Sequence, residues 1–130
     1  MIYLASPYSH PDPKVRHGRF KDACRALAHL LKYSGDTYYS PIVHHHPLVE
    51  YEMPTGWDFW ENHDKEMLRM CSHLAILLLN GWEESKGVLA EYQIARYLGI
   101  EVFAISTVDY DTWLEVEYDE MNHLPKIIYP

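Results

Sequence analysis

The stretch from Leu74 to Phe103, LAILLLNGWEESKGVLAEYQIARYLGIEVF, constrains the fold of this chain most. It opens with a short apolar run, Leu74 to Leu79, and passes through a polar loop, Asn80-Gly81-Trp82-Glu83-Glu84-Ser85-Lys86-Gly87. A helical pattern follows to Leu98, stops at Gly99 and gives way to a second apolar run, Glu101 to Ile105. Strand, loop, helix, strand is a βαβ unit. The handedness of such units puts the strand-to-helix loop at the carboxyl edge of a parallel sheet, where ligands bind. Glu91 lies about two turns into that helix and is the first candidate for chemistry.

The rest of the chain alternates in the same way. Ile2 to Ala5 reads as a buried first strand, followed by a loop, Ser6-Pro7-Tyr8-Ser9-His10-Pro11-Asp12-Pro13, whose prolines exclude helix. Apolar residues from Lys14 to Tyr33 recur at intervals of three and four, which predicts an amphipathic helix ended by Ser34-Gly35-Asp36. Thr37 to Val43 is β-branched and aromatic and reads as a second strand, with Pro41 at its end or on an edge. His44 to Gly56 is expected to be irregular, and Trp57 to Ser72 a helix. After the βαβ unit, Asp109 to Asn122 is expected to be an acidic helix and Lys126 to Pro130 a short final strand.

This alternation predicts one α/β domain over residues 1–130. It would be a Rossmann-like three-layer sandwich with a mainly parallel sheet of four or five strands in the order 2-1-3-4(-5). That order sets the loops after strands one and three side by side.

Composition removes several classes. A length of 130 residues suits one compact domain. No apolar run reaches about eighteen residues, so no membrane span is expected. No basic leader precedes Ile2, so no signal peptide is expected, and a cytoplasmic location fits two free thiols, Cys24 and Cys71, set in apolar patterns. A net charge of −8 without a basic patch argues against binding a nucleic-acid polymer. A small phosphorylated ligand stays open, because one helix N-terminus can hold a phosphate.

The loops carry the candidate site. Ser85 reads as the helix N-cap, its hydroxyl available to a first-turn amide or to a ligand oxygen. Gly87 lets a ligand approach the backbone, and Gly87 and Glu91 share a face of the helix. A cap and a packing glycine without any ligand would leave the same trace. Asp64 belongs to the run Glu61-Asn62-His63-Asp64-Lys65-Glu66, which reads either as a solvated face or, through the register of Asp64 with Leu68 and Cys71, as a carboxylate aimed at the sheet. Tyr3 would project near the carboxyl end of the first strand. Tyr8, Trp57, Phe59 and Trp60 lie in or beside loops of the same edge and offer rings to stack on a base, with core packing the alternative. His44-His45-His46 does not suit one metal ion, because neighbours in an extended chain point to alternate sides. No HxxxH, HExxH or CxxC spacing occurs, so no metal and no cofactor is expected. The segment led by His44 is instead expected to pack over the ligand.

On these residues the chain resembles the nucleoside 2-deoxyribosyltransferase superfamily over most of its length. Ile2-Tyr3-Leu4-Ala5-Ser6, Asp64-xxx-Leu68, Ser85-Lys86-Gly87-Val88-Leu89-Ala90-Glu91 and the Gly99-Ile100-Glu101-Val102 turn carry the likeness. In detail the sequence is similar to a compact branch marked by Gly81-Trp82-Glu83-Glu84-Ser85-Lys86-Gly87 and Trp57-Asp58-Phe59-Trp60, and to nucleotide N-hydrolases. The resemblance implies that Glu91 attacks the anomeric carbon, that Asp64 handles the departing base, and that Tyr3 orients the nucleophile or the sugar. It also implies that Ser85 holds a 5′-phosphate. Where the hydrolase branch carries a second phosphate-binding serine this chain has Pro7, with Ser6 or Ser9 nearby as the substitute. Where the transferases carry a second Asp, this chain has Asn80, Glu83 and Glu84, so base recognition does not carry over.

The expected activity is cleavage of the N-glycosidic bond of a nucleoside or its 5′-monophosphate through a glycosyl-Glu91 intermediate, by hydrolysis or base exchange. The alternative is a nucleotide-binding or sensor domain without turnover. A homodimer or larger homo-oligomer is expected from the apolar surface of the first helix and the Trp57 region, and from the way relatives complete their sites across an interface.

Overall fold

The computed structural model describes residues 1–107, 113–119 and 124–127. Strand β1 (Ile2–Ala5) leads to helix α1 (Pro13–Tyr33), strand β2 (Tyr38–Tyr39), helix α2 (Pro41–His45), a 3-10 turn (His46–Tyr51) and helix α3 (Trp57–Arg69). Strand β3 (His73–Leu77) leads through a second 3-10 turn (Trp82–Glu84) to α4 (Lys86–Leu98) and β4 (Glu101–Thr107). Strands β5 (Trp113–Asp119) and β6 (Leu124–Ile127) follow. The sheet order is β2-β1-β3-β4-β5-β6. Its first four strands run parallel, in the order that the sequence predicts.

Strand alternation divides the core into two faces. Ile2, Leu4, Ala75 and Leu77 point to the side of α1, where they pack with Ala26, Leu30, Ile105 and Trp113. Their neighbours Tyr3, Ala5, Leu74 and Ile76 point to the other side and pack with Leu68 of α3 and with Val88 and Ala95 of α4. A period of two on the central strands therefore builds three layers.

Helix ends follow local chemistry. Asp12 caps α1 by accepting the Lys14 amide at 2.9 Å. Ser85 caps α4 by accepting the Val88 amide at 3.2 Å, and Gly99 ends it in the left-handed region at φ 72°. Cys24 and Cys71 are free thiols.

The sequence reading fails in three places. The second strand is only Tyr38–Tyr39, not Thr37 to Val43, because Ser40 accepts the Val43 amide at 3.2 Å and Pro41 opens α2. Proline at a first helical position loses no hydrogen bond. Of the segment expected to be irregular, His44 to Tyr51 forms the end of α2 and a 3-10 turn, and only residues 52–56 carry no helix or strand.

The predicted helix over Asp109 to Asn122 is instead strand β5, which pairs antiparallel with β4 through Ser106↔Leu114 and Thr107↔Trp113. Leu114-Glu115-Val116-Glu117-Tyr118 alternates with a period of two, and the open edge of β4 supplies the partner. Residues 109–112 and 120–122 lie outside the described ones. The last strand is Leu124–Ile127, antiparallel to β5, which makes six strands; residues 128–130 of the expected one are not described.

Candidate active site

The carboxyl ends of β1 and β3 lie side by side, because the chain builds β2 on one flank of β1 and then crosses to β3 on the other. A cleft opens there, at the edge where open parallel sheets bind ligands. Ser6, Tyr8 and Ser9 line it from the loop after β1, and His45 from α2. Trp57, Trp60 and Asp64 line it from α3, and Ser85, Gly87 and Glu91 from the start of α4.

Helical spacing sets both carboxylates inward. On α4 the buried residues are Val88, Glu91 and Ala95, and on α3 they are Trp60, Asp64 and Leu68. Glu91 and Asp64 are each 4 % exposed, rare for carboxyl groups. The Tyr3 hydroxyl, fully buried beneath the cleft, donates to Glu91 Oε2. Burial holds the Glu91 carboxyl well above its usual range; the Tyr3 hydrogen bond pulls it down and the Asp64 charge pushes it up. Burial also raises the Tyr3 phenol, with the Glu91 and Asp64 charges adding to the effect. Tyr3 therefore stays a donor.

Asp64 is held by histidines. His45 Nε2 lies 2.9 Å from Asp64 Oδ1, and His63 Nδ1 3.3 Å from the same oxygen. The His45 ring stacks on Trp60, with centroids 3.6 Å apart and planes 11° from parallel, and its Nδ1 lies 2.8 Å from His44 Nδ1. One donor atom from each of His45, His63 and Asp64 lies within 4.8 Å of the others, so this group has the spacing to hold a metal ion.

The loops of the cleft are tied down by contacts outside it. Arg19 donates to the Ser9 carbonyl at 2.9 Å and lies where a side chain on Gly81 would sit, 2.5 Å from the Cβ position. Gly81, at φ 93°, can be only glycine without moving that guanidinium. The Tyr8 hydroxyl meets His46 Nδ1 at 2.7 Å, and His17 Nδ1 meets His46 Nε2 at 3.3 Å.

The predicted site residues thus fall into groups. Glu91, Asp64, Ser85, Gly87, Ser6, Ser9, Tyr8 and Trp57 share one cleft, and Tyr3 supports it from below. His44 does not line the cleft; it backs His45 and stacks on His63 at 5.4 Å. His46 turns away to Tyr8. The three adjacent histidines do not alternate as they would in an extended chain, because the backbone is helical there. His45 and Trp60 are the residues of the wall that sequence reasoning undervalued; the Ser40-Pro41 helix start was the signal that would have turned His45 toward α3.

Three observations bear on the ligand. Ser6 is 4 % exposed, and its buried hydroxyl has no hydrogen-bond partner among the described residues. A Cβ at Gly87 would meet only Ser85 Oγ, at 3.9 Å, so protein packing does not demand a glycine there. No lysine or arginine is among the cleft residues, so an anion would rely on hydroxyls and on the start of α4. No described helix is long and apolar enough to cross a membrane.

A family model described as "Domain of unknown function (DUF1937)" matches residues 1–107. No curated protein matches the chain. The matched stretch contains every candidate residue of the cleft.

Proposed function

The chain belongs to the DUF1937 family, and from its cleft we propose that it cleaves the N-glycosidic bond of a nucleoside or a nucleoside 5′-monophosphate. The observation that carries this reading is the buried Glu91 carboxylate held by the Tyr3 hydroxyl, in a cleft that also presents Asp64. A carboxylate needs help to ionise where water is excluded, and one phenolic hydrogen bond supplies it without blocking its second oxygen.

In this mechanism Glu91 attacks the anomeric carbon, the bond to the base nitrogen breaks, and the electron pair leaves with the base. Asp64 gives that nitrogen a proton. Water, or a second base, then displaces Glu91 from the anomeric carbon, so configuration is retained overall. Ser6, Ser9, Ser85 and the first amides of α4 are the groups for a 5′-phosphate, and the rings of Tyr8 and Trp57 bound the space for the base.

One observation favours the binding reading over turnover. The raised pKa of Glu91 favours its protonated form, which would donate to a sugar hydroxyl rather than attack carbon. Incubation with a panel of ribo- and deoxynucleosides and their monophosphates, with and without a second free base, separates the cases. Free base, or a new nucleoside formed only with added base, supports catalysis; tight binding with no base released would overturn it. The homo-oligomer belongs to the same reading, with Phe59, Leu89 and Tyr97 as exposed apolar residues of α3 and α4. A sedimentation mass at the monomer value would remove it.

A further inference from the structure

We propose that His45, His63 and Asp64 form a binding site for a divalent first-row transition-metal ion, with its open coordination position facing the cleft. The proposal rests on geometry and does not depend on the glycosidase reading.

Three features carry it. The donor spacing admits a metal ion: His45 Nε2 and His63 Nδ1 stand 2.9 and 3.3 Å from Asp64 Oδ1, and all three donors lie within 4.8 Å of one another. Ligands bonded at about 2.0–2.1 Å in a tetrahedral site lie roughly 3.3 Å apart. A carboxylate oxygen and two imidazole nitrogens converge here, and the gap between them must be filled by ring N–H protons or by a cation.

The second feature is the support behind His45. A metal-bound imidazole keeps its other N–H for an acceptor, which fixes ring and tautomer. His45 Nδ1 has such a partner in His44 Nδ1 at 2.8 Å, and the Trp60 indole clamps the ring face at 3.6 Å. This gives His44 a role that its absence from the cleft wall otherwise leaves unexplained.

The third is access. His45 and Asp64 line the cleft and the His63 side chain is 41 % exposed, so an ion has a path in and a vacant position toward the ligand. Two imidazoles and one carboxylate suit zinc, iron, cobalt or nickel rather than magnesium or calcium, which prefer all-oxygen shells. An ion there and a proton on Asp64 exclude one another. An occupied site would therefore stop Asp64 from protonating a leaving base and would offer the base nitrogen a Lewis acid instead.

Titration of the full-length protein with Zn²⁺ by calorimetry tests this, with Co²⁺ absorption as a second readout of coordination. The expected result is one Zn²⁺ per chain at micromolar affinity or tighter. His63→Ala removes one half-exposed ligand without touching the core, and should weaken binding by at least about tenfold, with His44→Ala weakening it by about ten- to a hundredfold. His17→Ala, at the other histidine pair, and Glu91→Gln should leave binding unchanged. No Zn²⁺ binding, binding unaffected by His63→Ala, or binding lost in His17→Ala would each overturn the site. Because Glu91→Gln is expected to bind Zn²⁺ while releasing no base, the failure of either reading is visible without the other.

Discussion

The Tyr3 hydroxyl donates a hydrogen bond to the Glu91 carboxylate across 88 residues of sequence, and both groups are buried. This bond favours the ionised carboxylate against the burial that opposes it. A nucleophilic Glu91 must be ionised, so activity rises as pH climbs through its pKa. Tyr3→Phe removes the contribution that lowers that pKa. The acidic limb of the kcat/KM profile should therefore move to higher pH, and kcat/KM at neutral pH should fall by about ten- to a hundredfold, as expected for a hydrogen bond to a charged group worth about 1.5–3 kcal/mol. Asp64 and the Tyr39 ring also face this pair and stay in place, so the shift reports the lost phenol. An unmoved limb would show that Tyr3 does not tune Glu91.

The same burial has a consequence for stability. A carboxyl whose folded pKa is raised stabilises the fold below the unfolded value of about 4.3, and that contribution is lost as pH rises through the folded pKa. Glu91→Gln keeps an acceptor oxygen for Tyr3 and has no charge to bury. It should melt higher than the native protein at neutral and alkaline pH, with the difference vanishing below about pH 4. Thermal melts across pH check this. An equal or lower melting temperature at pH 8 would mean that ionised Glu91 is better solvated than its burial indicates.

Much of this site was legible in the sequence because it rests on local rules. The Ser85 cap, the Gly99 stop and the two apolar runs predict strand, helix and edge, and Glu91 falls on the inward face by spacing alone. Tyr3 lands beneath it because residues alternate along β1. Asp64 was legible only as one of two readings, since its register with Leu68 had to outweigh the polar run around it. The short α2 was hidden by the strand propensity of Tyr38, Tyr39, Ile42 and Val43, which the Ser40 cap and Pro41 override. Strand β5 was hidden for the opposite reason: tertiary pairing with β4 decides it, and a single acidic segment does not reveal its partner.

Gly87 separates a functional glycine from a structural one. Space around it is open and its backbone is helical, so Gly87→Ala should stabilise the protein by about 0.5–1 kcal/mol. If a ligand rests on the backbone here, the same change raises KM for a 5′-monophosphate with little effect on its nucleoside. Denaturant melts with paired kinetics read both; an unaltered KM would place the phosphate elsewhere.

Ser40 tests how α2 positions the cleft wall. Its buried hydroxyl accepts the Val43 amide, and the helix it starts carries His45 to Asp64. Ser40→Ala should cost about 1 kcal/mol, the ordinary loss of a cap, and lower the melting temperature by about 3–6 °C. Recovery in Ser40→Asp, which restores a capping oxygen, would tie the loss to the cap rather than to packing.

A nucleophilic Glu91 would bond covalently to the sugar. A nucleoside or nucleotide carrying fluorine at the arabino 2′ position slows both steps by destabilising the oxocarbenium-like transition state, so an intermediate can be trapped. Peptide mass spectrometry after acid quench is predicted to find the fluorosugar on Glu91, with none in Glu91→Ala. A fluorosugar on a different residue, or base released by Glu91→Ala at the native rate, would contradict it.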